Sequence, residues 1–141
     1  MNDRGAGARV LLVDDHQDVR EMYAEYLHDC GYEVLQAASG LEAIERAVAG
    51  SPQLVVLDLS LPVLGGWEVT RRLKADSRTA QVFVVVLTGD SSAHLSEDAR
   101  TSGCDGFVLK PCLPEALLKE IERLLPRAPT RRHLEDPAPD T

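Results

Sequence analysis

Aromatic residues are scarce, at 4% of the chain, and no apolar stretch approaches the ~20 residues that cross a bilayer. The N-terminus, MNDRGAGARVLLVDD, lacks a long apolar run ending in a small-residue cleavage site, so it does not read as a signal peptide. Cysteine is sparse and odd in number: Cys30, Cys104 and Cys112, with no C-x-x-C pair. That argues against zinc or a disulfide and for free thiols in a reducing compartment, the cytoplasm. An excess of base is also missing. Fifteen Lys and Arg face 23 Asp and Glu, for a formal net charge of -8. Such a chain is repelled by phosphate backbones and anionic lipid, so direct nucleic-acid or membrane binding is not expected. An acidic domain is suited instead to a cation. No Gly-rich phosphate loop follows the first apolar run, which argues against a nucleotide-binding module, and there is no internal repeat.

What is present suits one domain: 141 residues, 44% of them hydrophobic, with a core of aliphatics rather than rings. Five short apolar runs read as strands: Arg9 to Val13, Glu33 to Ala37, Leu54 to Leu57, Val82 to Leu87 and Gly106 to Leu109. Near-continuous Val and Leu indicate strands covered on both faces, as in a parallel sheet. Helical patterns lie between them. Asp18 to Cys30 carries Val19, Met22, Tyr23, Tyr26 and Leu27 at helical spacing, with Gly31 to close it. Ser39 and Glu42 fit a capping box, after which Leu41, Ile44 and Val48 are expected to form the apolar face and Gly50 the stop. Trp67 to Lys74, Ser92 to Ser102 and Pro114 to Leu125 complete the set, the fourth with a poor apolar stripe and the fifth with Pro in its first turn. Strand and helix alternate five times, which is an α/β pattern with right-handed crossovers. The segment 126–141 holds four of the eight prolines and little apolar content, so it reads as a disordered tail.

In such sheets, sites form at the carboxyl ends of the strands where the strand order reverses. Here those ends carry Asp14-Asp15, Asp58, Thr88-Gly89 and Lys110-Pro111. Any one of these alone is better read as a helix cap, a turn residue or a solvated charge. Together, at four of five strand ends, they describe one pocket. Three acids in one pocket repel unless a cation joins them, and oxygen ligands select Mg²⁺, with Mn²⁺ as a substitute. His16, His28, His94 and His133 are scattered and read as surface or packing residues. For His16, which follows the acidic pair, the oxygen preference of Mg²⁺ argues against a ligand role. Trp67 is expected to pack a helix on the sheet. Arg71-Arg72 and Arg131-Arg132 read as solvated charge.

This set, Asp14-Asp15, Asp58, Thr88 and Lys110-Pro111, resembles the receiver domain of bacterial two-component response regulators over residues 8–125. The resemblance implies a doubly wound, flavodoxin-like (CheY-like) fold of three layers, with a five-stranded parallel sheet in order 2-1-3-4-5. It implies that Asp58 accepts a phosphoryl group from a histidine kinase or phosphotransfer protein. Asp15, Asp58 and the Ser60 backbone carbonyl would hold Mg²⁺, and Asp14 would act through water. Thr88 and Lys110 would contact the phosphoryl, and the Lys110-Pro111 peptide bond would be cis. Phe107 would be the switch aromatic; the family often has Tyr there, so any switch must work by packing. Gly65-Gly66 replaces a common acid-Gly pair, which is expected to loosen the loop.

The chain then reads as a stand-alone signalling domain that catalyses only its own phosphorylation and dephosphorylation. Its output is expected through protein contact at the fourth helix, fifth strand and fifth helix. A phosphorelay intermediate, or a receiver cut from a hybrid kinase, fits the same residues. The alternative from another class is a Mg²⁺-dependent phosphohydrolase of the haloacid dehalogenase type. That family has an acid two residues past its nucleophile, where this chain has Ser60. A phosphorylation-independent pseudo-receiver is a further alternative, against which the intact acid set and Lys110 argue.

Overall fold

The apolar runs form five parallel strands: β1 (Arg9–Val13), β2 (Glu33–Ala37), β3 (Leu54–Asp58), β4 (Phe83–Thr88) and β5 (Gly106–Leu109). They stand in the order β2-β1-β3-β4-β5. The computed structural model describes residues 7–126, so all but the first residue of the expected tail, and Arg131, Arg132 and His133 with it, lie outside the described residues. The helices are α1 (Gln17–Asp29), α2 (Gly40–Gly50), α3 (Gly66–Ala75), α4 (Glu97–Ser102) and α5 (Pro114–Leu124).

The period of two along each strand sorts the core into two layers. Val10, Leu12, Val56, Val85, Leu87 and Val108 pack under Tyr23 and Leu27 of α1 and Leu117 and Ile121 of α5. Their neighbours Leu11, Val13, Val55, Leu57, Val84 and Val86 pack under Ala43 and Ala47 of α2 and Val69 and Leu73 of α3. β3 and β4 are buried along nearly their whole length, which explains their unbroken Val and Leu.

Three local expectations needed revision. The buried face of α2 is Gly40, Ala43 and Ala47 rather than the larger residues, and Leu41 is 57% exposed. Close approach is the reason at the start of the helix, where a Cβ at Gly40 would stand 2.7 Å from the Leu64 carbonyl oxygen; Ile44, partly buried, still packs against this layer. The fourth helix is broken. A 3₁₀ turn (Ala93–Leu95) precedes α4, and Ser96 starts α4 by accepting the Ala99 N–H on its hydroxyl at 3.0 Å. In α1, Val19 and Met22 are left exposed, and burial falls to Tyr23, Ala24 and Leu27. The capping box forms, with the Glu42 N–H donating to Ser39 Oγ at 3.1 Å. The Glu42 carboxylate accepts from Ala38 rather than from Ser39 itself. That backbone N–H, and then Arg46, hold the Glu42 carboxyl below its ordinary range.

The loop from β3 to α3 holds two opposed backbone constraints. Val63 has φ of 68°, a left-handed conformation uncommon for a β-branched residue, and its side chain is fully exposed. Gly66 lies so close under the strand end that an added Cβ would stand 2.8 Å from Leu59 Cα and 3.0 Å from the Asp58 carbonyl oxygen. Gly66 is therefore demanded by contact, and the Gly-Gly pair does more than loosen the loop. Gly66→Ala should lower stability by about 1–3 kcal/mol, although Ala is the better helix former. Val63→Gly should raise stability by up to about 1 kcal/mol by relieving the left-handed strain. Urea unfolding of the two variants checks both signs.

Candidate functional site

β1 and β3 are neighbours although α1, β2 and α2 separate them in sequence, and the chain winds away from this pair in opposite directions. The crevice above their carboxyl ends is where such sheets place ligands. Asp14 follows the last residue of β1, its N–H held by the Ala37 carbonyl at 3.1 Å. Asp58 is the last residue of β3. Both carboxylates are buried, each residue 1% exposed, while Asp15 is exposed at the rim. Asp14, Asp15, His16 and Asp58 each offer one ligand atom, and those atoms all lie within 4.8 Å of one another.

Each oxygen of Asp58 has its own donors. Oδ1 accepts the Ser60 N–H at 3.0 Å and the Ser60 hydroxyl at 3.0 Å. Oδ2 accepts from Lys110 Nζ at 3.1 Å. Lys110 reaches across from the end of β5, where its N–H donates to the Thr88 carbonyl at 2.7 Å and its bond to Pro111 is cis, as expected. The following turn is tied to α1, because Tyr23 Oη donates to the Cys112 carbonyl at 2.9 Å. Burial, and then Cys112, push the Tyr23 phenol well above its ordinary range, so it remains a donor. Nothing in the sequence pattern distinguished this anchor from an ordinary core tyrosine.

Asp14 is less completely satisfied. Its Oδ1 accepts the His16 N–H at 2.8 Å and lies 3.2 Å from His16 Nδ1. Its Oδ2 is buried and has no protein hydrogen-bond partner. A formal count sets three carboxylates against the single ammonium of Lys110, leaving two negative charges uncompensated. At 4.8 Å, a pair of unit charges repels by about 3–4 kcal/mol at an effective dielectric constant of about 20. Three carboxylates, one with an orphaned buried oxygen, and this charge deficit fit a hard dication such as Mg²⁺.

The remaining expected residues stand nearby in other engagements. Thr88 is buried at the end of β4, its hydroxyl accepting the Asp90 N–H at 3.0 Å. Phe107 points away from the pocket, into the α2–α3 layer. Its ring meets Trp67 edge-on at a centroid distance of 6.0 Å and His94 at 6.2 Å. Trp67 thus packs as expected, but its specific neighbour is Phe107. A recess of about 160 Å³ opens beside the ring, with Thr88 and Leu109 in its wall. The three cysteines are half-buried and form no disulfide among the described residues. No helix among the described residues is long and apolar enough to cross a membrane.

Comparison with known proteins matches this arrangement. The family model described as the response regulator receiver domain matches residues 10–122. The transcriptional regulator RpaA of Synechocystis is 34% identical over 84% of this chain and 49% of that protein. The polar-differentiation response regulator DivK of Brucella ovis is 29% identical over 82% of this chain and 94% of that protein. The structure of the chemotaxis response regulator CheY4 of Vibrio cholerae superposes with a TM-score of 0.78 at 33% identity, covering 83% of this chain and 98% of that one. The chain spans about half the length of RpaA and of the PhoB regulator of Pseudomonas aeruginosa. The five-stranded fold, the acid pocket at its switch point and these matches place the chain in the response regulator receiver domain family, with the CheY-like, flavodoxin-like fold.

Proposed function

We propose that Asp58 is the phosphoacceptor and that the domain, residues 8–125, signals by its phosphorylation state. The observation that carries this is the buried Asp58 carboxylate, held by Lys110 at 3.1 Å in a pocket shared with Asp14 and Asp15. The phosphodonor is a phosphohistidine of a histidine kinase or phosphotransfer protein. A carboxylate oxygen of Asp58 forms the new O–P bond as the donor N–P bond breaks, and the imidazole nitrogen leaves with the electron pair. Asp15, Asp58 and the Ser60 carbonyl would hold Mg²⁺ or Mn²⁺, with Asp14 acting through water. The bound ion would supply positive charge against the phosphoryl oxygens.

The chain's own groups must rearrange for this step. The Ser60 hydroxyl releases Oδ1, which needs its lone pair free to attack. Lys110 moves from Asp58 Oδ2 to the arriving phosphoryl and keeps an ion-pair partner throughout. Thr88 exchanges its Asp90 contact for a phosphoryl oxygen. Because Thr88 and Phe107 share the wall of one recess, movement of the hydroxyl frees the ring to turn inward. The output is protein contact around α4, β5 and α5, without direct nucleic-acid or membrane binding, in the cytoplasm.

Intact-mass spectrometry after incubation with acetyl phosphate and Mg²⁺ tests the acceptor. Wild type should gain one phosphoryl group and Asp58→Asn none; equal gain by both would remove Asp58 from the role, and no gain by either would favour a pseudo-receiver. The switch has its own reporter, since Trp67 is the only tryptophan and touches Phe107. Phosphorylation should change Trp67 emission. In Phe107→Ala, phosphorylation should persist while that change is largely lost. An unaltered emission response in the variant would show that Phe107 does not move.

A further inference from the structure

We propose that Tyr23 is a positioning residue for phosphoryl transfer: by holding Cys112, its hydroxyl fixes the turn that aims Lys110 at Asp58. This rests on Asp58 being the phosphoacceptor and adds to it a residue that works through Lys110. Lys110 stands at the head of a turn with few ties of its own. Upstream, its N–H is bound to β4 through the Thr88 carbonyl. Downstream, Pro111 has no N–H to donate. Leu113, the N-cap of α5, makes no side-chain cap, and its carbonyl already serves the first turn of that helix. Apart from that first turn, the Tyr23 hydroxyl makes the one hydrogen bond among the described residues that reaches the backbone of 111–113, donating to the Cys112 carbonyl at 2.9 Å.

The same hydroxyl lies 3.2 Å from Cys112 Sγ. Phenol and thiol carry one hydrogen each. With the phenol hydrogen on the carbonyl and the thiol hydrogen on Oη, Cys112 is held by its backbone and its side chain together.

The space around the turn makes this tie matter. A recess of about 410 Å³ opens between α1 and the turn, with Val19, Met22 and Tyr23 on one wall and Lys110, Pro111 and Cys112 on the other. Packing therefore does not press the turn against α1 on this side; a hydrogen bond spans the gap. Tyr23 is a firm base for it, being 4% exposed and packed in the layer of Leu27, Leu117 and Ile121. Phenylalanine would fill the same space and leave the Cys112 carbonyl untied. Lys110 Nζ stands 3.1 Å from Asp58 Oδ2, and it must pass from that oxygen to the arriving phosphoryl. A misplacement of about 1 Å in such a group can cost up to about a hundredfold in rate.

The test is a double-mutant cycle on the full chain: wild type, Tyr23→Phe, Lys110→Ala and the pair. Each is incubated with Mg²⁺ and acetyl phosphate, and the rate of phosphoryl gain is read by intact mass. Tyr23→Phe should slow the gain by about three- to tenfold, the order that one hydrogen bond carries. In the Lys110→Ala background the same change should alter the rate by less than about twofold, a non-additivity that a merely structural role does not produce. Independently of phosphorylation, the Lys110 Nζ and Cε signals in NMR spectra should move in Tyr23→Phe. No slowing, or equal slowing in both backgrounds, would overturn the inference while leaving Asp58 as the acceptor. If wild type gains no phosphoryl group, the acceptor reading fails. In that case, or if Lys110→Ala reacts too slowly to follow, the Lys110 signals decide: unmoved in Tyr23→Phe, they overturn the positioning role.

Discussion

Like-charge repulsion between carboxylates at the ends of β1 and β3 is the constraint on which the site depends. Asp14 and Asp58 are both buried, on adjacent strands, with Asp15 beside them. Folding takes Asp14 and Asp58 out of water and brings all three acids together, a cost that the aliphatic layers on either side of the sheet must offset. Lys110 relieves part of it from across the sheet, but one ammonium does not balance three carboxylates. The pocket is thus built to gain from a cation, and needs it more once Asp58 is phosphorylated, because the acyl phosphate carries nearly two negative charges where the carboxylate carried one. The same electrostatic imbalance links metal binding, phosphorylation and any change of shape.

That imbalance also gives a route outward. Lys110 is fixed to β4 by its N–H on the Thr88 carbonyl, and its turn is fixed to α1 by Tyr23. On the proposed reading, a group arriving at Asp58 would act through Lys110 on β5, where the Phe107 ring meets Trp67 and His94. Allosteric couplings are commonly about 1–3 kcal/mol, enough to bias a ring between two packed positions. The broken, short α4 and its 3₁₀ turn form the least regular border of this region.

Much of this was legible in the sequence because it rests on local signals. Unbroken Val and Leu runs marked the central strands, and an acid, a hydroxyl or a Lys-Pro at a strand end marked the pocket. Asp14, Asp15, Asp58 and Lys110 meet as expected. What escaped was set by tertiary contact. The burial of Ala43 and Ala47 in place of Leu41 follows from how closely α2 approaches Leu64 and Val69, which no periodicity reveals. The break before α4 turns on whether Ser96 caps a helix or continues one. The role of Tyr23 as an anchor depends on a carbonyl 89 residues away. His16 was visible beside the acids, but its ring direction was not, and direction decides whether it pairs with them.

The central claim is that uncompensated negative charge in the pocket limits the stability of the metal-free domain. Urea unfolding of wild type and Asp58→Asn, each in chelator and then in Mg²⁺, measures this directly. In chelator the neutral variant should be the more stable, because removing one carboxylate relieves the others. Mg²⁺ should raise the wild-type midpoint more than that of the variant, narrowing or reversing the gap. A wild type at least as stable as Asp58→Asn in chelator, with a midpoint indifferent to Mg²⁺, would contradict the account.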